Sequence, residues 1–131
     1  MDKISVECID KCLRTLKLGK ACGPDDLSTE NVICTCTSIA HPSLIVHLQI
    51  LFELIMSHGY VPNSFGVGVI VPLVKDKTGN INNVDNYRGI TLSPAISKLF
   101  EMVVLDMCDD ALQTDSLQFG FKNKTGTADA I

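Results

Sequence analysis

At 131 residues, with 46% hydrophobic content, the chain is long and apolar enough to bury a core, which argues against intrinsic disorder. Its size fits one domain or a portion of one. A formal net charge of −4 lacks the basic excess expected of a free-standing nucleic-acid binder.

That charge is unevenly spread. Between Asn63 and Leu105, Lys75, Lys77, Arg88 and Lys98 outnumber Asp76, Asp85 and Glu101. From Asp106 onward, Asp106, Asp109, Asp110, Asp115 and Asp129 face only Lys122 and Lys124. Cysteines stand at 8, 12, 22, 34, 36 and 108, and Met1-Asp2-Lys3-Ile4-Ser5 carries no apolar core of a secretory signal. Free thiols and an intracellular setting, cytoplasmic or nuclear, are therefore expected. Cys34-Thr35-Cys36 is too tight for the usual zinc-ligand gap, and no second pair stands at ligand spacing. The cysteines read as scattered buried or half-buried small residues.

In chain order, Ile4 to Leu18 reads as a helix, with Ile9, Leu13 and Leu16 as its apolar stripe and Gly19 as its stop. Lys20 to Asp26 has the composition of a turn. Ser28 should cap a short helix reaching about Thr35, with Glu30 favourable in the first turn. His41-Pro42-Ser43 opens an apolar helix that Gly59 closes. Its continuous apolar part, Leu44 to Met56, reaches only about 20 Å, short of a bilayer core, so a buried helix rather than a membrane span is expected. His41, His47 and His58 share neither a face nor a partner motif and read as ordinary helix or cap residues.

Gly66 to Val74 is strand-like, and Pro72 confines it to an edge or to the end of a strand. Asp76 to Asp85 carries hairpin turn chemistry, and a second strand spans about Tyr87 to Leu92. Ser93 should cap the next helix, with Pro94 at its first position. Ile96, Leu99, Phe100, Val103, Val104 and Met107 recur at helical spacing along it. Asp109 and Asp110 fall near its C-terminal end, where carboxylates oppose the helix dipole. Residues 117–127 read as a loop or short strand leading to a further helix. The fold expected is α+β: N-terminal helices over residues 1–61, then a β-hairpin with a packed helix over 62–131, together one truncated domain. A hairpin whose first strand ends in Lys75 and whose second opens with Arg88 presents two cations suited to a polyanion.

Five motifs occur in a familiar order. Lys20 precedes Gly23-Pro24-Asp25-Asp26; Pro62 and Phe65 precede Pro72-Leu73-Val74-Lys75; Asn86-Tyr87-Arg88-Gly89-Ile90-Thr91-Leu92 follows. Ser97-Lys98-Leu99-Phe100-Glu101 and Gln118-Phe119-Gly120-Phe121 complete the series. This series resembles the reverse transcriptases of LINE-type, non-LTR retrotransposons. One departure stands out: Asp26 replaces the last glycine of the family's G-P-D-G turn, a position at which glycine serves a positive φ.

The resemblance implies the fingers and the start of the palm of an RNA-directed DNA polymerase. It implies that Lys75 and Arg88 contact the triphosphate of an incoming nucleotide or the template strand. In the complete enzyme the partners would be an RNA template, a deoxynucleotide triphosphate and the palm and thumb of the parent polypeptide, with no membrane. Magnesium is expected only there, held by aspartates of F-x-D and Y-x-D-D blocks. Neither block occurs in this sequence. Asp25-Asp26 in a turn and Asp109-Asp110 on a helix are not expected to bind metal. The chain by itself is therefore expected to be catalytically inactive, with no catalytic residue, metal site or cofactor of its own. The alternatives are a non-catalytic remnant that binds RNA or protein, or a gene-model fragment without function.

Overall fold

A computed structural model describes residues 3–37, 41–109 and 112. The architecture is α+β. Helices α1 (Val6–Thr15), α2 (Thr29–Thr37) and α3 (His41–His58) come first, then strands β1 (Val69–Val74) and β2 (Tyr87–Leu92), then α4 (Ala95–Met107). Short 3₁₀ turns at Asn63–Gly66 and Val84–Asn86 flank β1 and precede β2.

The Ser5 hydroxyl accepts the Cys8 N–H at 3.1 Å and starts α1, which buries Ile9, Cys12 and Leu13. The helix is shorter than its periodicity predicts. Leu16 is already extended, at φ −61° and ψ 132°, and Gly19 lies beyond the end rather than at it. The Gly19 N–H donates to the Glu30 carboxylate on α2, so the chain leaves the helix early to reach that partner. Asp26 adopts the conformation that glycine would serve, with φ 55°, and its N–H closes the turn on the Gly23 carbonyl at 3.1 Å. Aspartate is among the few residues that tolerate this region. Ser28 caps α2 through the Asn31 N–H at 3.0 Å, as its position predicts, although the helix continues to Thr37.

The core lies where α1 and α4 meet and where α3 packs on α1 and α2. Phe52 of α3 is fully buried, and its ring centre stands 5.1 Å from that of Phe100 on α4. Around this pair sit Ile9, Leu13, Ile45, Leu48, Leu99 and Val103. Helix α3 is apolar all round: Ile45, Leu48, Phe52 and Ile55 face inward, whereas Val46, Ile50 and Leu54 are exposed. Among the described residues no helix is long and apolar enough to cross a membrane.

Two boundaries in the second half differ from expectation. Strand β1 begins at Val69 rather than at Gly66, which closes a 3₁₀ turn over residues 63–66. The Phe65 carbonyl accepts the Ser97 hydroxyl at 3.0 Å, and the Phe65 ring meets Phe100 edge-on at 6.1 Å, so the aromatic is drawn to α4. Helix α4 begins at Ala95, with Pro94 rather than Ser93 at the cap and no side-chain capping bond. The Ser93–Pro94 backbone is committed elsewhere. A Cβ on Gly23 would lie 2.8 Å from Pro94 N and Ser93 C, so the G-P-D turn packs backbone to backbone against the entry to α4. Glycine permits that approach because it has no Cβ. The helix ends at Met107, which leaves Asp109 in the turn after it rather than on it; Asp110 and the 118–121 motif lie outside the described residues.

Candidate functional site

Strands β1 and β2 pair antiparallel in the register Val69↔Leu92, Val71↔Ile90, Leu73↔Arg88, Val74↔Tyr87. The Lys75 N–H donates to the Asn86 carbonyl at 2.7 Å, carrying the ladder one residue further. Side chains of directly opposed residues share a face, and alternate residues along a strand return to it. Lys75 therefore stands on the same face as Leu73, and hence as Arg88. The two cations are diagonal neighbours, roughly 7–8 Å apart at the backbone by the general geometry of antiparallel pairs. Both are exposed.

The same ladder accounts for Pro72. With Lys75 and Asn86 a hydrogen-bonded pair, alternation makes Pro72 and Gly89 a non-hydrogen-bonded one. The proline nitrogen then faces the outer edge of β1, where no ladder donor is lost.

Between the strands, residues 75–86 fold on themselves. The Asp76 carboxylate accepts the Thr78 N–H at 2.8 Å and the Thr78 hydroxyl at 2.6 Å, which holds its pKa below the ordinary value. Asn80 Oδ1 accepts the Asn82 N–H, and Asn83 Oδ1 accepts the Asp85 N–H. Tyr87 reaches back with its hydroxyl to the Ile81 carbonyl at 2.8 Å. The Lys75 ammonium donates to the Asp85 carbonyl at 2.7 Å and so points across the loop. A backbone carbonyl does not neutralise an ammonium, so the charge stays available to an anion arriving at this face. Chemically, Arg88 offers a planar fork and Lys75 a point charge.

Asn86 and Tyr87 belong to the sequence motif around Arg88, which gives neither a role. The structure makes both the pins of the loop. The available signal was their position, two hydrogen-bonding side chains immediately before the arginine.

The remaining candidates stay ordinary. His47 Nδ1 lies 2.6 Å from the Ser43 carbonyl, and His58 Nδ1 lies 3.0 Å from that of Leu54, so both histidines bond their own helix. The His41 side chain lies outside the described residues. Cys8, Cys12, Cys22 and Cys108 are free thiols. Burial, aided by the adjacent Asp106 carboxylate, pushes the Cys8 thiol up to about 12, so it remains protonated and is a poor nucleophile. Among the described residues no group of three histidine, cysteine or carboxylate side chains could hold a metal ion.

A helical body carrying a solvent-exposed hairpin with two cations on one face defines the class as α+β. Comparison with known proteins gives the class a lineage. The chain is 25% identical over 136 aligned positions to the RNA-directed DNA polymerase from mobile element jockey of Drosophila melanogaster, an alignment covering 100% of the chain and 14% of that protein. It is 24% identical to the jockey polymerase of Drosophila funebris, over 99% of the chain and 14% of the relative. It is 28% identical, over 93% of the chain, to a 115 kDa protein in the type-1 retrotransposable element R1DM of Drosophila melanogaster. No protein-family model matches. The chain is thus a relative of the RNA-directed DNA polymerases of LINE-type retrotransposons, as its motif order indicates, and it spans about one-seventh of their length.

Proposed function

We propose that this chain is the fingers and early palm portion of an RNA-directed DNA polymerase, and that Lys75 and Arg88 grip phosphate there, on the incoming nucleotide or on the template backbone. The observation that carries the reading is the placement of both cations on one exposed face, a single diagonal apart. Similarity along the whole chain to polymerases of mobile elements supports it. Phosphoryl transfer relies on positioning and on neutralising charge at the polyphosphate, and paired basic side chains supply both.

The complete enzyme would use two magnesium ions. The described residues do not form a site for them, and no catalytic step is assigned to this chain. Its partners in the complete enzyme are the RNA template, the nucleotide, and the rest of the palm and thumb.

The test is affinity. The 131-residue chain should bind single-stranded RNA and inorganic tripolyphosphate with an affinity that falls as salt rises. Lys75→Ala/Arg88→Ala should weaken both by at least tenfold, roughly the effect of losing one or two charge-assisted hydrogen bonds. Unchanged binding by the double variant would refute the reading. Labelled-nucleotide incorporation by the isolated chain would contradict its assignment as a non-catalytic portion.

A further inference from the structure

The hairpin gets little help from the rest of the fold. Its strands contact chiefly each other, and both faces are open: Ile70 is 69% exposed on one, Leu73 53% on the other. A two-stranded ribbon without a core is marginal by itself, so something local must hold Lys75 and Arg88 in place.

That something is concentrated in one residue. Asn86 accepts the Lys75 N–H on its main-chain carbonyl at 2.7 Å, and the next N–H, that of Asp76, on its side-chain Oδ1 at 2.9 Å. Its Nδ2 returns a hydrogen bond to the Asp76 carbonyl at 2.8 Å. The side-chain amide thus exchanges both a donor and an acceptor with the Asp76 backbone, as an opposed residue does within an antiparallel ladder. It supplies an extra rung just past the last true one. This rung fixes the backbone on the C-terminal side of Lys75, and Asn86 itself stands two residues before Arg88.

We propose that Asn86 is the positioning residue of the cation pair: it touches no ligand, and its amide rung with Asp76 pre-orders Lys75 relative to Arg88. The proposal rests on the polyanion-binding reading above. Without the rung, the Asp76 N–H and carbonyl turn to water at small cost to the fold, because the site is exposed. Binding must then order the loop each time, and affinity drops.

An isosteric change separates positioning from mere presence of a polar group. Asn86→Asp keeps an acceptor for the Asp76 N–H but sets a carboxylate oxygen against the Asp76 carbonyl, with the Asp76 carboxylate and the Asp85 backbone nearby. Once protonated, the same side chain donates and accepts as asparagine does. The Lys75 ammonium, bonded to the neighbouring Asp85 carbonyl, is on the same loop, and the Thr78 hydrogen bonds hold the Asp76 carboxyl below its ordinary pKa.

The experiment titrates inorganic tripolyphosphate into wild type, Asn86→Ala, Asn86→Asp and Lys75→Ala/Arg88→Ala at about pH 7.5 and pH 4, each normalised to wild type at that pH. Asn86→Ala should bind roughly three- to tenfold more weakly at both, the equivalent of one or two hydrogen bonds. Asn86→Asp should be at least as weak at the higher pH and come within about twofold of wild type at the lower, where roughly half of the introduced carboxyl is protonated. Melting of the helical body should stay unchanged, since the hairpin lies outside its core. Wild-type affinity in Asn86→Ala, with binding lost in the double variant, overturns this proposal and leaves the polyanion reading intact. Wild-type affinity in the double variant overturns both. A weak Asn86→Ala with no acid recovery of Asn86→Asp assigns the loss to charge rather than to the rung, and also overturns it.

Discussion

Asp106, on the exposed flank of α4, accepts hydrogen bonds from Lys11 Nζ and from Cys8 Sγ, so one carboxylate ties α4 to α1. The lysine bond first and the thiol bond second hold its pKa below the ordinary 3.8. A carboxylate whose folded pKa is depressed contributes stability that is complete above its unfolded value and disappears as pH falls through the folded one. Lys11 is the mirror case: its pKa is raised from 10.5 by the same partner, so its share is complete at lower pH and is lost only as pH climbs past that raised value. The melting-temperature gap between wild type and Asp106→Asn should therefore be constant from about pH 5 to 9 and should narrow as pH falls below the ordinary 3.8. A pH series of thermal melts checks this; a gap that persisted at pH 2 would show that the bridge has no such role. The bridge could not be read from the sequence. Lys11 and Asp106 are separated by most of the chain, and nothing local marks either as the other's partner.

At the level of elements, the hairpin and the helices should behave as different kinds of matter. Helices α1, α3 and α4 bury Phe52, Leu99 and Val103 completely, whereas β1 and β2 lean on each other with apolar side chains in solvent. Local opening is easier where few buried contacts must be broken. Amide hydrogens of β1 and β2 should exchange at least tenfold faster than those in the middle of α3. Residue-resolved exchange measures this, and equal protection would mean that the hairpin is packed more firmly than its exposure indicates. The strand Tyr87–Leu92 and the helix from His41 were legible in full, because hairpin turn chemistry ahead of the strand and an apolar run opened by proline are local signals. The ends of α1, β1 and α4 were not. Each was moved by a distant contact: Gly19 to Glu30, Phe65 to Ser97 and Phe100, and Ser93–Pro94 to Gly23.

Across the whole molecule, α3 is the organising element, apolar on the side that meets the core and on the side that meets solvent. Helices of this composition are found buried within larger assemblies, and the relatives that align with this chain are about seven times its length. The two sides should respond oppositely to substitution. Phe52→Ala removes a side chain of zero exposure together with its ring contact to Phe100, and should cost about 3–5 kcal/mol. Ile50→Lys places a charge where the wild-type residue is 51% exposed, and should change stability by no more than about 0.5 kcal/mol while improving solubility. Denaturant titration of both variants gives the comparison. A large loss in Ile50→Lys would place that face in the core.

The chain's sequence determined its helices and hairpin, its α+β class and its family likeness, because hydrophobic period, proline and glycine placement and motif order are written in neighbouring residues. Tertiary structure alone decided which side of α3 is buried, where helices stop to meet distant partners, and that Lys75 and Arg88 share a face. It also revealed that Asn86 ties the loop to the strand. These depend on strand register and on contacts between residues far apart in the chain, and a one-residue shift in register would have sent the two cations to opposite faces.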